Sequence, residues 1–147
     1  MSLEGSKSPY NSGSVGNFQL ESTQDSFSSI ENDLKDLIKP YNLNQEKFGE
    51  ILISLTEAIT NAVRHGNKFD ASKLVDVEFV GNASRLYFKI SDEGAGFDVE
   101  DIPDPTQEEN LLSCGGRGVY IMRALADGCS FKNNGSTVEL EFDIDSI

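Results

Sequence analysis

Three stretches of the chain alternate apolar and polar residues: Val75, Val77 and Phe79; Leu86, Phe88 and Ile90; and Val138, Leu140, Phe142 and Ile144. Successive strand side chains point to opposite faces, so each stretch predicts a β-strand with one buried and one wet face. Phe18 and Leu20, set among Asn17, Gln19 and Glu21, predict a shorter first strand. Gly81-Asn82 supplies a turn between the first two long runs and Asn133-Asn134-Gly135 another before the last, which points to antiparallel neighbours.

Elsewhere the period lengthens to that of a helix. Phe27, Ile30, Leu34, Leu37 and Ile38 recur at helical spacing until Lys39-Pro40, where proline ends the pattern. Asn44 is placed to cap a second helix, with Leu43 before it and Phe48 after it spaced for a hydrophobic staple. This helix is expected to run to about His65. Phe48, Ile51, Leu52, Leu55, Ala58, Ile59, Ala62 and Val63 make its apolar arc, and Glu50, Ser54, Glu57, Asn61, Arg64 and His65 fall on a separate polar stripe. Val119, Met122, Leu125 and Ala126 mark a third helix ending near Asp127-Gly128.

Helices on one face of a mixed, mainly antiparallel sheet make a two-layer α/β (α+β) sandwich. At 147 residues the chain suits one domain, large enough to form a core without disulfide or metal staples. We assign that domain to residues 16–147. The polar, Ser/Gly-rich residues 1–15 are expected to be a disordered tail. Between Glu93 and Cys114, a stretch with two prolines and six acidic residues after Gly96, no period is evident; a loop this long is expected to be a lid or a disordered segment, and we assign a lid at about residues 93–115.

The formal net charge of −13 argues against a nucleic-acid partner or an anionic membrane surface. No run of about 18 apolar residues is present to span a bilayer. Cys114 and Cys129 are too few for a disulfide framework, and His65, the single histidine, leaves a Cys/His zinc site short of ligands. A cytoplasmic location is therefore expected.

Three segments could carry chemistry. Glu57 and Asn61, one helical turn apart in Glu57-Ala-Ile-Thr-Asn61-Ala-Val-Arg-His-Gly66, project from the same face just before a glycine helix stop. Magnesium keeps most of its waters and needs only one or two protein oxygens beside phosphate oxygens, so the Asn61 carbonyl could anchor it. Glu57 would then be placed as a general base. Asp92 ends a strand as the chain turns through Gly94 and Gly96, where a carboxylate can accept from the exocyclic amine of adenine. Gly115, Gly116 and Gly118 open the third helix, whose N-terminal N–H groups suit a phosphate, and Arg117 could add a charge-assisted contact. Each segment alone is weak: most Glu-x-x-x-Asn pairs on helices are plain solvated surface.

The order Glu57…Asn61, Asp92-x-Gly94-x-Gly96, Gly116-x-Gly118 resembles the N, G1 and G2 boxes of the GHKL ATPases, which include gyrase, histidine kinases and MutL. The wording around Glu57 is similar to one branch, the anti-sigma-factor serine kinases of the sporulation and general-stress type. The likeness spans residues 16 to 144. It implies a Bergerat-type fold with ATP between the helix layer and a lid, Asn61 on magnesium, Asp92 reading adenine, and Glu57 activating a serine hydroxyl on a STAS-type anti-anti-sigma protein. A sigma factor would be the second partner and the homodimer the expected assembly. The chain departs from the branch at Cys114, where the sporulation-type proteins carry an arginine; Arg117 is the residue it offers instead. Two alternatives stand beside this expectation, a non-catalytic ATP-gated binding module and a detached histidine kinase catalytic domain. The second is disfavoured because no phosphoacceptor helix hairpin is seen ahead of the domain.

Overall fold

The alternating stretches pair into one five-stranded sheet. A computed structural model describes residues 14–94, 117–133 and 135–144. Strand β1 (Ser14–Glu21) lies beside β2 (Leu74–Gly81), β2 beside β3 (Arg85–Ser91), and β3 beside β5 (Thr137–Asp143), with β4 (Gly128–Lys132) on the outer edge of β5. The sheet expected to be mainly antiparallel is antiparallel in all four pairings. Phe79 sits opposite Phe88 and Phe88 opposite Leu140, so the apolar positions of each strand fall in register on one face.

That face carries the core. Val75, Val77, Phe79, Leu86, Phe88, Ile90, Leu140 and Phe142 are all fully buried, and the Phe79, Phe88 and Phe142 rings form a file across three strands, with centroids 5.1 and 6.0 Å apart. Against it pack α1 (Ile30–Ile38), α2 (Gln45–Asn61) and α3 (Arg117–Leu125), which contribute Leu34, Ile51, Leu55, Ile59 and Met122. The opposite face is charged: Arg85 bridges Glu141 and Asp143 at 2.9 Å each, and Lys132 bridges Glu139 at 2.9 Å. Among the described residues no helix is long and apolar enough to cross a membrane.

Local chemistry sets the helix boundaries. Asn44 caps α2, its side chain accepting the Lys47 N–H at 2.7 Å, and both Leu43 and Phe48 pack against the core as the staple requires. The first helical pattern begins as a tight 3-10 segment, Gln24–Ser29, before relaxing into α1. Strand β4 was not anticipated, because its five residues offer only Cys129 and Phe131 as inward positions. The α2 pattern does not stay α-helical to His65: after Asn61 it widens into a π turn, Ala62–Gly66, closed by the Asn67 N–H on the Ala62 carbonyl at 2.8 Å.

The polar stripe is wet only at its far end: Arg64 and His65 are exposed, while Glu50, Glu57 and Asn61 are partly buried. Ser54 is fully buried. Helix α3 packs along α2, with Gly118 set directly against Glu57 and Asn61, so these two lie in the seam between the helices.

Candidate functional site

The widened turn at the end of α2 brings the distant segments together. Asn61 closes the α-helical part, and the π turn carries the chain to Gly66, which lies against Asp92 in the turn after β3. A β-carbon at Gly66 would overlap the Asp92 carboxylate, and one at Gly94 would overlap the Gly66 carbonyl. Gly66 was expected to stop the helix. The helical run does end there, and Gly66 is in addition a close-approach residue; the left-handed positions follow at Lys68 and Phe69, at φ 54° and 58°. Such backbone costs an ordinary side chain of order 1–2 kcal/mol. It is held by the Phe69 N–H on the Val63 carbonyl at 2.8 Å.

Asp92 is fixed at its backbone and at its side chain. Its N–H donates to the Ser136 carbonyl at 2.9 Å, and one carboxylate oxygen accepts the Gly94 N–H at 2.8 Å. Burial raises its pKa above the ordinary aspartate value, against the opposing pull of the Gly94 hydrogen bond and the Lys73 charge. A half-buried carboxylate short of solvent favours a ligand that brings N–H donors. Asp92 and Asn61 line one small cavity of about 10 Å³, whose other walls include Ala58, Ile90, Met122, Phe131 and Val138. A space of that size holds about one water, but its lining, apolar walls with a carboxylate and a carboxamide, has the chemistry that meets a flat heterocycle carrying an amine.

At the other side of Asn61 stands Glu57. An ideal β-carbon on Gly118 would lie 2.7 Å from Glu57 Oε1 and 3.4 Å from Asn61 Nδ2, so the first turn of α3 rests on this pair. Burial raises the Glu57 pKa, and the Arg64 charge opposes the rise. The same Arg64 acts with burial to lower the pKa of His65, which favours the neutral imidazole over a cation stabilised by the helix end. Among the described residues no group of three or more His, Cys, Asp or Glu side chains could hold a metal. Magnesium would fit here in one way, on the Asn61 carbonyl oxygen with phosphate and water oxygens completing its shell.

The structure thus brings Glu57, Asn61, Asp92, Gly94 and Gly118 to one end of α2. Arg117 opens α3, but its side chain lies outside the described residues, as do Gly96, Cys114, Gly115, Gly116 and the lid expected at about 93–115 beyond Gly94. Two contributors escaped the sequence reading. Asn67 is 1% exposed and ties the site to the sheet: Nδ2 donates to Ser22 Oγ at 2.8 Å and to the Leu74 carbonyl at 3.1 Å, while Oδ1 accepts the Glu93 N–H at 2.8 Å. Its partner Ser22, fully buried, lies 45 residues away in sequence. The signal available was only the position of Asn67 directly after the helix glycine.

Comparison with known proteins identifies the family. A model of the histidine kinase-like ATPase domain matches residues 20–142, and the chain belongs to that family. Among curated relatives, the serine-protein kinase RsbW of Bacillus subtilis (strain 168) is 32% identical over 102 residues, 65% of this chain and 64% of that protein. RsbW of Bacillus licheniformis is 36% identical over 84 residues, 53% of this chain and 52% of that protein. The chain therefore spans between about half and two thirds of the length of these relatives. A crystal structure of the RsbU and RsbW domains of a Mycobacterium tuberculosis protein shares the fold, at a TM-score of 0.54 and 11% identity, over 90% of this chain and 32% of that one.

Proposed function

We propose that this chain is an ATP-dependent serine/threonine protein kinase that acts as an anti-sigma factor, phosphorylating a STAS-type anti-anti-sigma protein in a partner-switching circuit. The observation that carries the proposal is the meeting of three sequence-distant segments at the end of α2: Gly118 against Glu57 and Asn61, and Gly66 and Gly94 against the Asp92 turn. The similarity to serine-protein kinases named RsbW supports the choice of reaction and partners.

In this reading Asp92 accepts the adenine amine, with Gly94 and Gly96 allowing the base and backbone to approach. Asn61 holds magnesium, which when bound neutralises charge on the phosphate oxygens. The N–H groups of Gly115, Gly116 and Gly118 would serve the phosphates, and Arg117 would supply the positive charge that Cys114 cannot. Glu57 takes the proton of the acceptor serine as that oxygen bonds to the terminal phosphorus and the bond to ADP breaks. Burial that raises the Glu57 pKa moves it toward the working pH, where a general base is most effective. The assembly is a homodimer in the cytoplasm, and unphosphorylated partner frees the sigma factor by competing for the kinase.

The test is to incubate the protein with Mg-ATP and the anti-anti-sigma proteins of the same genome, reading phosphorylation by intact mass. Phosphoserine on one candidate, lost in Glu57→Ala with ATP binding kept, is the expected result. ATP binding with no transfer to any candidate would replace the kinase by an ATP-gated binding module.

A further inference from the structure

We infer that Asn67 is a positioning residue for base selectivity: its buried carboxamide fixes the Glu93 peptide, and through it the turn that presents the Asp92 carboxylate. The inference rests on the reading of Asp92 as the group that accepts from adenine.

The hydrogen bonds of the turn lead to this residue. Three successive N–H groups, those of Asp92, Glu93 and Gly94, go respectively to the Ser136 carbonyl, to Asn67 Oδ1 and to the Asp92 carboxylate itself. The first holds the turn to the start of β5 and the third is internal. Only the second ties the turn to the end of α2, where Asn61 also lies. Gly66, the residue before Asn67, is the one packed on the Asp92 carboxylate. One dipeptide therefore sets both the clearance and the anchoring of Asp92 relative to α2.

The chemistry demands a carboxamide. Asn67 donates both N–H bonds, to Ser22 Oγ and the Leu74 carbonyl, and accepts one, from the Glu93 N–H. Aspartate would bring no donor and a buried charge, a hydroxyl would bring a single donor, and leucine would match the shape while orphaning the Glu93 N–H. Leu74 reinforces the tether from the other side, because its N–H donates to Glu93 Oε2 at 2.6 Å. The turn is thus clasped to the first residue of β2 by a side chain from each partner, Asn67 and Glu93. Without Asn67 the carboxylate stays in the site but loses its register with the base.

The test compares ATP with inosine triphosphate, which replaces the adenine amine with a carbonyl, by calorimetry on the full chain. Wild type should prefer ATP. Asn67→Leu should weaken ATP binding about tenfold and leave inosine triphosphate nearly unchanged, so the preference collapses toward one. Ser22→Ala removes one Asn67 partner but keeps the bond to Glu93; it should lower the melting temperature and retain the preference. Should Asn67→Leu not fold, amide hydrogen exchange in the wild type decides, with the Glu93 N–H expected to be as protected as the strand amides of β3. A folded Asn67→Leu with the wild-type preference, or a Glu93 amide exchanging as freely as an open loop, overturns the inference alone. Equal wild-type binding of both nucleotides overturns the Asp92 reading and this inference with it.

Discussion

Gly66 and Asp92 are packed so closely that the aspartate carboxylate occupies the space a β-carbon on residue 66 would need. The contact joins the π turn that follows α2 to the loop after β3. Neither backbone has slack there, since Asp92 is tied to Ser136 and its own Gly94, and Gly66 sits in a π turn closed by Asn67. Gly66→Ala must therefore push the carboxylate away. We expect at least a tenfold loss of ATP affinity by calorimetry, with overpacking lowering stability by about 1–3 kcal/mol in urea melts. An alanine variant binding ATP as tightly as wild type would show that Asp92 has no role in recognition.

Gly49 is the opposite case. It lies inside α2 with nothing within 4 Å of the position a β-carbon would take. Here glycine contributes only its excess of unfolded-state freedom, and Gly49→Ala should stabilise the protein by about 0.5–1 kcal/mol. The measurement is a urea midpoint with unchanged slope; no gain, or a loss, would mean that the open position is used by something that alanine obstructs.

The fold was legible wherever a regular period governs burial. The alternating runs at residues 75–79, 86–90 and 138–144 became β2, β3 and β5 with the expected inward residues, because one-sided burial leaves a strand no other register. The α2 N-terminus was legible as well, since an asparagine cap and its staple act within a few residues. What stayed hidden depends on packing between distant segments. Ser54 and Glu57 share a polar stripe in sequence, yet the first is fully buried and α3 rests on the second. Asn67 reads as an ordinary turn residue until Ser22, Leu74 and Glu93 close around it. The π turn has no period of its own, so the pattern of α2 ran through it unmarked.

The raised Glu57 pKa has a definite sign in stability. Burial disfavours the carboxylate in the folded state more than Arg64 favours it, so the folded pKa lies above the ordinary 4.5. Above the folded pKa the charged side chain costs stability. That cost is relieved as the pH falls through the folded value, and it is gone below the unfolded one. Glu57→Gln carries no such charge and should melt higher than wild type at pH 7.5, with the two curves converging as the pH approaches 4.5. A gap that widens on acidification would reverse the assignment. The same variant should lose phosphotransfer by about 100- to 10,000-fold, the usual contribution of a general base.

Gly118 offers a way to disturb Glu57 without touching it. A β-carbon there would stand 2.7 Å from Glu57 Oε1, the free end of a side chain able to rotate, rather than against rigid backbone. Gly118→Ala should therefore fold, and a better helix former inside the first turn of α3 offsets part of the crowding. The carboxylate, however, must leave the position it holds beside Asn61. Since a base displaced by about 1 Å can cost on the order of 100-fold in rate, kcat for phosphotransfer should fall steeply. The KM for ATP should change by less than about threefold, and the melting temperature by only a few degrees, because the adenine end at Asp92 is untouched. A variant that loses ATP binding and activity in equal measure would assign Gly118 to the phosphate cradle and not to the placement of the base.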